Sequence, residues 1–68
     1  MQKIEKGKIY RHYKGNLYKI IEFAKNSETL EDMIVYRSEK TGEVWVRPYN
    51  MWNEVIEDKG CLRFTIVN

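Results

Sequence analysis

Met33-Ile34-Val35-Tyr36-Arg37-Ser38 and Glu43-Val44-Trp45-Val46-Arg47-Pro48, joined by Glu39-Lys40-Thr41-Gly42, form the stretch whose reading decides the fold. β-Branched and aromatic residues recur with period two in both runs, the pattern of strands rather than of a helix. Gly42 suits the left-handed position of a hairpin turn. Pro48 has no N–H to donate and ends the ladder. Two registers are open. A loop over residues 39–42 sets Tyr36 against Trp45, Val35 against Val46 and Ile34 against Arg47. A loop over residues 40–42 with a bulge sets Arg37 against Trp45 and Val35 against Arg47. In both, Trp45 and Arg47 share a face, and Val44 and Val46 are expected on the other side, towards the core.

Outward from this hairpin the same alternation repeats. Residues 8–13 and 17–25 read as a first hairpin about Gly15-Asn16, two residues that tolerate positive φ. This places Tyr13 opposite Tyr18. Residues 26–32 are polar and form a connecting loop. After Pro48, Asn50 is placed to cap a short helical piece from Met51 to about Ile56. Lys59-Gly60 ends it, and residues 63–67 form a final strand. The expected architecture is a mainly β domain, a small SH3-like five-stranded barrel with one short helix or 3₁₀ turn before the last strand. A small open α+β sheet is the alternative. Residues 1–68 read as a single domain, with residues 1–6 the candidates for a flexible N-terminal tail.

Size and composition narrow the functional classes. A chain of 68 residues buries a modest fraction of its surface, so domains this small often add disulfides, a metal or a partner subunit. Cys61 is the single cysteine and His12 the single histidine. An internal disulfide is excluded, and a closed structural zinc site lacks ligands. A homo-oligomer therefore becomes an expectation. The free thiol and the lack of an apolar leader point to the cytoplasm, and no apolar run is long enough for a membrane span. Net charge is +2, but residues 1–25 carry seven Lys/Arg against two acids while residues 26–68 carry five against eight. This polarity steers anions towards the first hairpin. Its excess is small for a nucleic-acid binder.

The residues with most chemistry are Arg37, Arg47, Trp45 and Tyr36. Guanidinium beside an aromatic ring suits planar anions, because it both forks onto oxygens and stacks. Ser27, Glu28 and Thr29, in a turn, are placed to line the rim. A structural role competes with this: Arg37 and Arg47 would clamp the acidic loop through Glu28 or Glu31. Tyr10, Tyr13, Tyr18 and Tyr36 are explained by cross-strand packing, or else by base stacking. Met51 and Trp52 would close one end of a barrel or lie in a subunit contact. No nucleophile–base pair, phosphate loop or metal-ligand spacing occurs, so no catalytic residue and no cofactor is expected.

The order Tyr10-x-His12-Tyr13-Lys14-Gly15-Asn16, Ser27-Glu28-Thr29-Leu30-Glu31, Val35-Tyr36-Arg37, Trp45-Val46-Arg47-Pro48 and Met51-Trp52 resembles a bacterial family of small stand-alone domains of unknown function. Two positions depart from that pattern: Asn26 stands where a histidine is usual, and Trp52 where phenylalanine is usual. The resemblance implies fold boundaries and carries no activity. The residues themselves lead to a non-catalytic binding module for a phosphate-bearing or nucleotide-like small ligand, sequestered at a subunit interface. The alternative is an SH3-like interaction module that binds nucleic acid or a protein segment.

Overall fold

The computed structural model describes residues 2–67, so Met1 and Asn68 lie outside the described residues. Strands β1 (Ile9–His12), β2 (Leu17–Lys25), β3 (Asp32–Ser38) and β4 (Val44–Pro48) are followed by a 3₁₀ turn (Tyr49–Met51). Then come β5 (Val55–Ile56), β6 (Cys61–Leu62) and β7 (Phe64–Ile66). One antiparallel sheet runs β4-β3-β2-β1-β7, and β5 pairs with β6 in a separate ribbon.

The expected SH3-like barrel is overturned: β4 and β7 are the two edges of the sheet and do not pair. The physical reason lies in the segment after Pro48. It crosses the inner face of the sheet and buries Trp52 completely, so the face that a barrel would cover by closure is covered by a plug. The indole stacks on Phe64 with ring centroids 3.9 Å apart and meets Tyr10 and Tyr36 edge-on. Each such aromatic pair adds about 0.5–1.5 kcal/mol beyond simple area burial. The helix expected from Met51 to Ile56 is absent, and no α-helix occurs among the described residues. Pro48 is the N-cap of the 3₁₀ turn and contributes no side-chain cap, while Arg63 N donates to Glu54 O at 2.8 Å and closes the open end of the β5–β6 ribbon.

The second hairpin takes the register with Tyr36 opposite Trp45 and Ile34 opposite Arg47. Its turn is closed by Gly42 N donating to Ser38 O, with Gly42 at φ 78°. Because Ile34 and Tyr36 are buried, Trp45 and Arg47 belong to the inner face. Val44 and Val46 therefore face outward, each 57% exposed, the reverse of their expected place in the core.

The first hairpin pairs Arg11 with Leu17 and Tyr10 with Tyr18, so Tyr13 is not opposite Tyr18. Its loop is longer than two residues, since Gly15 N returns to His12 O and His12 N to Asn16 O. A bulge between Ile20 and Glu22 shifts the β2–β3 register. It keeps Tyr18 and Ile20 inward before it and Phe23 inward after it.

The segment before β1 is held to the sheet. Gln2 Nε2 donates to Phe64 O and to Asn53 Oδ1, Ile66 N donates to Gln2 Oε1, and Ile4 packs against the core. Tyr10 hydroxyl donates to Lys3 O and accepts from Glu5 N. Burial, the largest cause, pushes its pKa above the usual tyrosine value.

Candidate functional site

Inner-face residues of five strands meet at one end of the sheet in an open groove of about 220 Å³. His12 comes from β1, Tyr18 from β2, Tyr36 from β3, Trp45 and Arg47 from β4, and Phe64 from β7. Strand alternation aims them together: His12 stands opposite Phe64 and Tyr36 opposite Trp45. The wall is a chain of edge-on rings, with Tyr18–Tyr36 at 5.5 Å, Tyr18–Phe64 at 5.8 Å and His12–Phe64 at 5.1 Å. Trp45 keeps 50% of its surface exposed at the rim.

Arg47 is the least exposed of the ion-paired cations, its side chain 20% exposed and its guanidinium carbon 5.6 Å from the Phe64 ring centroid. Its Nε is buried with no hydrogen-bond partner. Its ion pair is long, Nη2 to Glu54 Oε1 at 3.9 Å, because the same carboxylate oxygen is held by Arg63 through Nε at 2.9 Å and Nη2 at 2.8 Å. One acid thus serves two guanidinium groups, and Arg47 is the poorly neutralised one. A buried donor without an acceptor is costly, and it leaves donors in excess of acceptors around this guanidinium.

His12 strengthens that bias. Burial, then the positive charges of Arg63, Lys14 and Arg47, lowers its pKa below the ordinary 6.5. Its Nδ1 accepts from Lys14 N at 3.2 Å, which leaves the proton of the neutral ring on Nε2. The hydroxyls of Tyr18 and Tyr36 form no hydrogen bond among the described residues and add two more polar groups to an apolar wall.

The expected site is therefore brought together in part. Trp45, Arg47 and Tyr36 converge. Arg37 does not: it faces outward and pairs with Glu39 at 3.6 Å. Ser27, Glu28 and Thr29 do not line the groove. Their loop is closed on itself, Asn26 Oδ1 accepting from Glu28 N and Thr29 N, and neither Arg37 nor Arg47 clamps it. His12, Tyr18 and Phe64 were missed as site residues. The alternation of Tyr10 with His12 and of Tyr18 with Ile20 is the signal that would have found the first two. Glu54 as counter-ion had no sequence signal.

A second cleft of about 310 Å³ lies beyond His12, lined among others by Arg11, Tyr13 and the exposed Cys61. No group of three or more His, Cys, Asp or Glu residues is placed to hold a metal among the described residues. Nor is any described helix long and apolar enough to cross a membrane.

A family model described as a protein of unknown function, DUF1653, matches residues 8–66. A crystal structure of a DUF1653 protein from Bordetella bronchiseptica is similar over 100% of this chain and 92% of that one, at 33% identity and a TM-score of 0.83. No curated protein matches. With nearly its whole length matched in sequence and in fold, the chain belongs to the DUF1653 family.

Proposed function

We propose that this protein is a non-catalytic interaction module that holds a protein segment by seating one anionic side chain or chain end in the groove above Arg47. The observation that carries this reading is the weakly neutralised Arg47 guanidinium, whose closest carboxylate oxygen is 3.9 Å away, in a groove whose nearest acid is committed to Arg63. The groove volume, about 220 Å³, favours a segment over a whole small molecule. Pockets that enclose drug-sized ligands run to about 300–1,000 Å³, so only a side chain or terminus enters here and the rest of the partner lies outside. The rings supply apolar contact area, and Arg47 and His12 supply the polar anchor.

A nucleotide-like small ligand is the second reading, favoured by the half-exposed indole of Trp45 beside that guanidinium. Nucleic acid is less well served. Arg11 and Lys19 stand on the outer face, one register position from the inward Tyr10 and Tyr18, and no aromatic strand residue shares that face with them.

Titration of ¹⁵N-labelled protein separates these readings. The probes are an acetylated hexapeptide with a central glutamate between aromatic residues, AMP, and an oligothymidylate. The peptide is expected to move the Arg47 Nε–H and Trp45 Nε1–H resonances, and to lose that effect when its glutamate becomes glutamine. AMP moving the same resonances while the peptide does not would transfer the site to small ligands. Salt-sensitive shifts at Arg11 and Lys19 with the oligonucleotide would transfer it to nucleic acid. A silent groove with all three overturns the proposal.

A further inference from the structure

We propose that two copies of this chain pair through their β4 edges, antiparallel, in the register that sets Trp45 of one copy against Trp45 of the other. It shares Trp45 and Arg47 with the groove reading but does not rest on it: it concerns the free protein, where the second copy rather than a bound segment would supply the acid that Arg47 lacks.

β4 pairs with β3 alone. In the antiparallel ladder, residue pairs that exchange hydrogen bonds alternate with pairs that do not. Ser38 N donates to Glu43 O at 2.9 Å, which makes Tyr36–Trp45 and Ile34–Arg47 the bonded pairs. Val44 and Val46 therefore direct their N–H and C=O groups away from β3, along the free edge. Pro48 stands opposite Met33, where no N–H is owed. Edge strands are ordinarily protected by charge, proline or a bulge. Val44-Trp45-Val46 has none of these, and all three side chains are at least half exposed.

The register follows from self-complementarity, which a two-fold interface requires. With Trp45 on the two-fold axis, Val44 of each copy faces Val46 of the other, and these two pairs exchange four N–H···O=C bonds. Glu43 of each copy then faces Arg47 of the other on the inner face. Glu43 forms no ion pair among the described residues, and its carboxylate makes only a 3.4 Å contact with Thr41 Oγ1. Arg47 is short of negative charge. Each end of the strand thus supplies what the other end lacks. Centring the pair on Val46 instead would put Val44 opposite Pro48, which cannot donate, and would leave Glu43 unmatched. The favoured register joins the two five-stranded sheets edge to edge and brings both grooves together across the paired Trp45 side chains.

Sedimentation velocity of the full chain without ligand, from micromolar to millimolar protein, is expected to show the 8.2 kDa species giving way to one of twice the mass. Glu43→Lys, which lies outside the groove, should weaken association about tenfold by placing like charges opposite each other, with an unchanged circular dichroism spectrum. The register is read by oxidation in a Cys61→Ser background. Facing non-bonded residues are about 4.5 Å apart between Cα atoms, within disulfide reach, so Trp45→Cys should cross-link rapidly. Val46→Cys should not, since residue 46 has no copy of itself opposite. A monomer across the whole concentration range, or Val46→Cys cross-linking as fast as Trp45→Cys, overturns the inference.

Discussion

The inner face of the sheet has two halves built from the same residue types and finished differently. In one, Tyr10 and Ile20 are fully buried in the core with Trp52, which lies flat on Phe64, the ring that also lines the groove. In the other, Tyr18, Tyr36 and Trp45 line an open groove. Both halves are aromatic, and both contain one buried nitrogen without an acceptor, Trp52 Nε1 and Arg47 Nε. The indole N–H is neutral and its ring is paired with three others, so its orphaned donor is offset by packing. The guanidinium is charged, and the one acid it pairs with among the described residues is shared. Aromatic content alone therefore does not distinguish a core from a site. The distinction comes from whether a crossing segment covers the rings and whether the polar atoms find partners.

Mutation at the centre of each half tests that contrast most directly. Trp52→Ala should cost about 3–5 kcal/mol, the range for deleting a large buried aromatic side chain, and should bring the urea midpoint down steeply. A loss near 1 kcal/mol would mean that the plug is not what closes the face. Glu54→Gln comes next. It removes the carboxylate from Arg63 and Arg47 together, and with the acid side chain 37% exposed the loss should be about 1 kcal/mol after solvent screening. The same change should strengthen binding of an acidic peptide several-fold, because Arg47 loses its competing acid. Weaker peptide binding in a folded Glu54→Gln protein would break the link between the two guanidinium groups. Trp45→Ala should move stability by less than about 0.5 kcal/mol, as exposed positions do, yet remove peptide-induced shifts at Arg47. A large loss of stability there would make the open half a second core.

Alternation made much of the sheet legible. The strand runs at 17–25, 33–38 and 43–48 lie within a residue of β2, β3 and β4, and the turn at Gly42 has the left-handed backbone that its sequence implied. Closure was not legible. Whether an amphipathic hairpin buries its inner face by curling into a barrel or by accepting a plug depends on the path of residues 49–63, and that stretch lacks a clear period. The inside–outside assignment of Val44 and Val46 failed for a related reason. Period two fixes which residues share a face, but not which face is inner, and arginine and tryptophan look like surface residues beside valine. Arg47 sits inward because Phe64 and Glu54 receive it, and both are distant in sequence. The site was legible on the second hairpin, at Tyr36, Trp45 and Arg47, and not where β1, β2 and β7 bring His12, Tyr18 and Phe64 to it.

His12 stands between the halves, in contact with Phe64 on one side and lining the groove on the other, and its titration gives the finest test. Its folded pKa lies below the unfolded value of 6.5 because of burial first and then Arg63, Lys14 and Arg47. The unfolded chain therefore binds the proton more readily. The contribution of His12 to stability is fully present above about pH 6.5 and declines as pH falls from there through the lowered folded value. An anion seated beside Arg47 would offset the cations that depress this pKa and so raise it. By linkage the acidic peptide should then bind more tightly as pH falls through that range, for as long as its own carboxylate stays ionised. The ¹³C–¹H resonance of the His12 ring, followed against pH with and without the peptide, reads the shift directly. A titration midpoint that does not move on peptide binding would place the anion outside the reach of His12 and Arg47, and would return the open half of the sheet face to being an uncovered wall of rings.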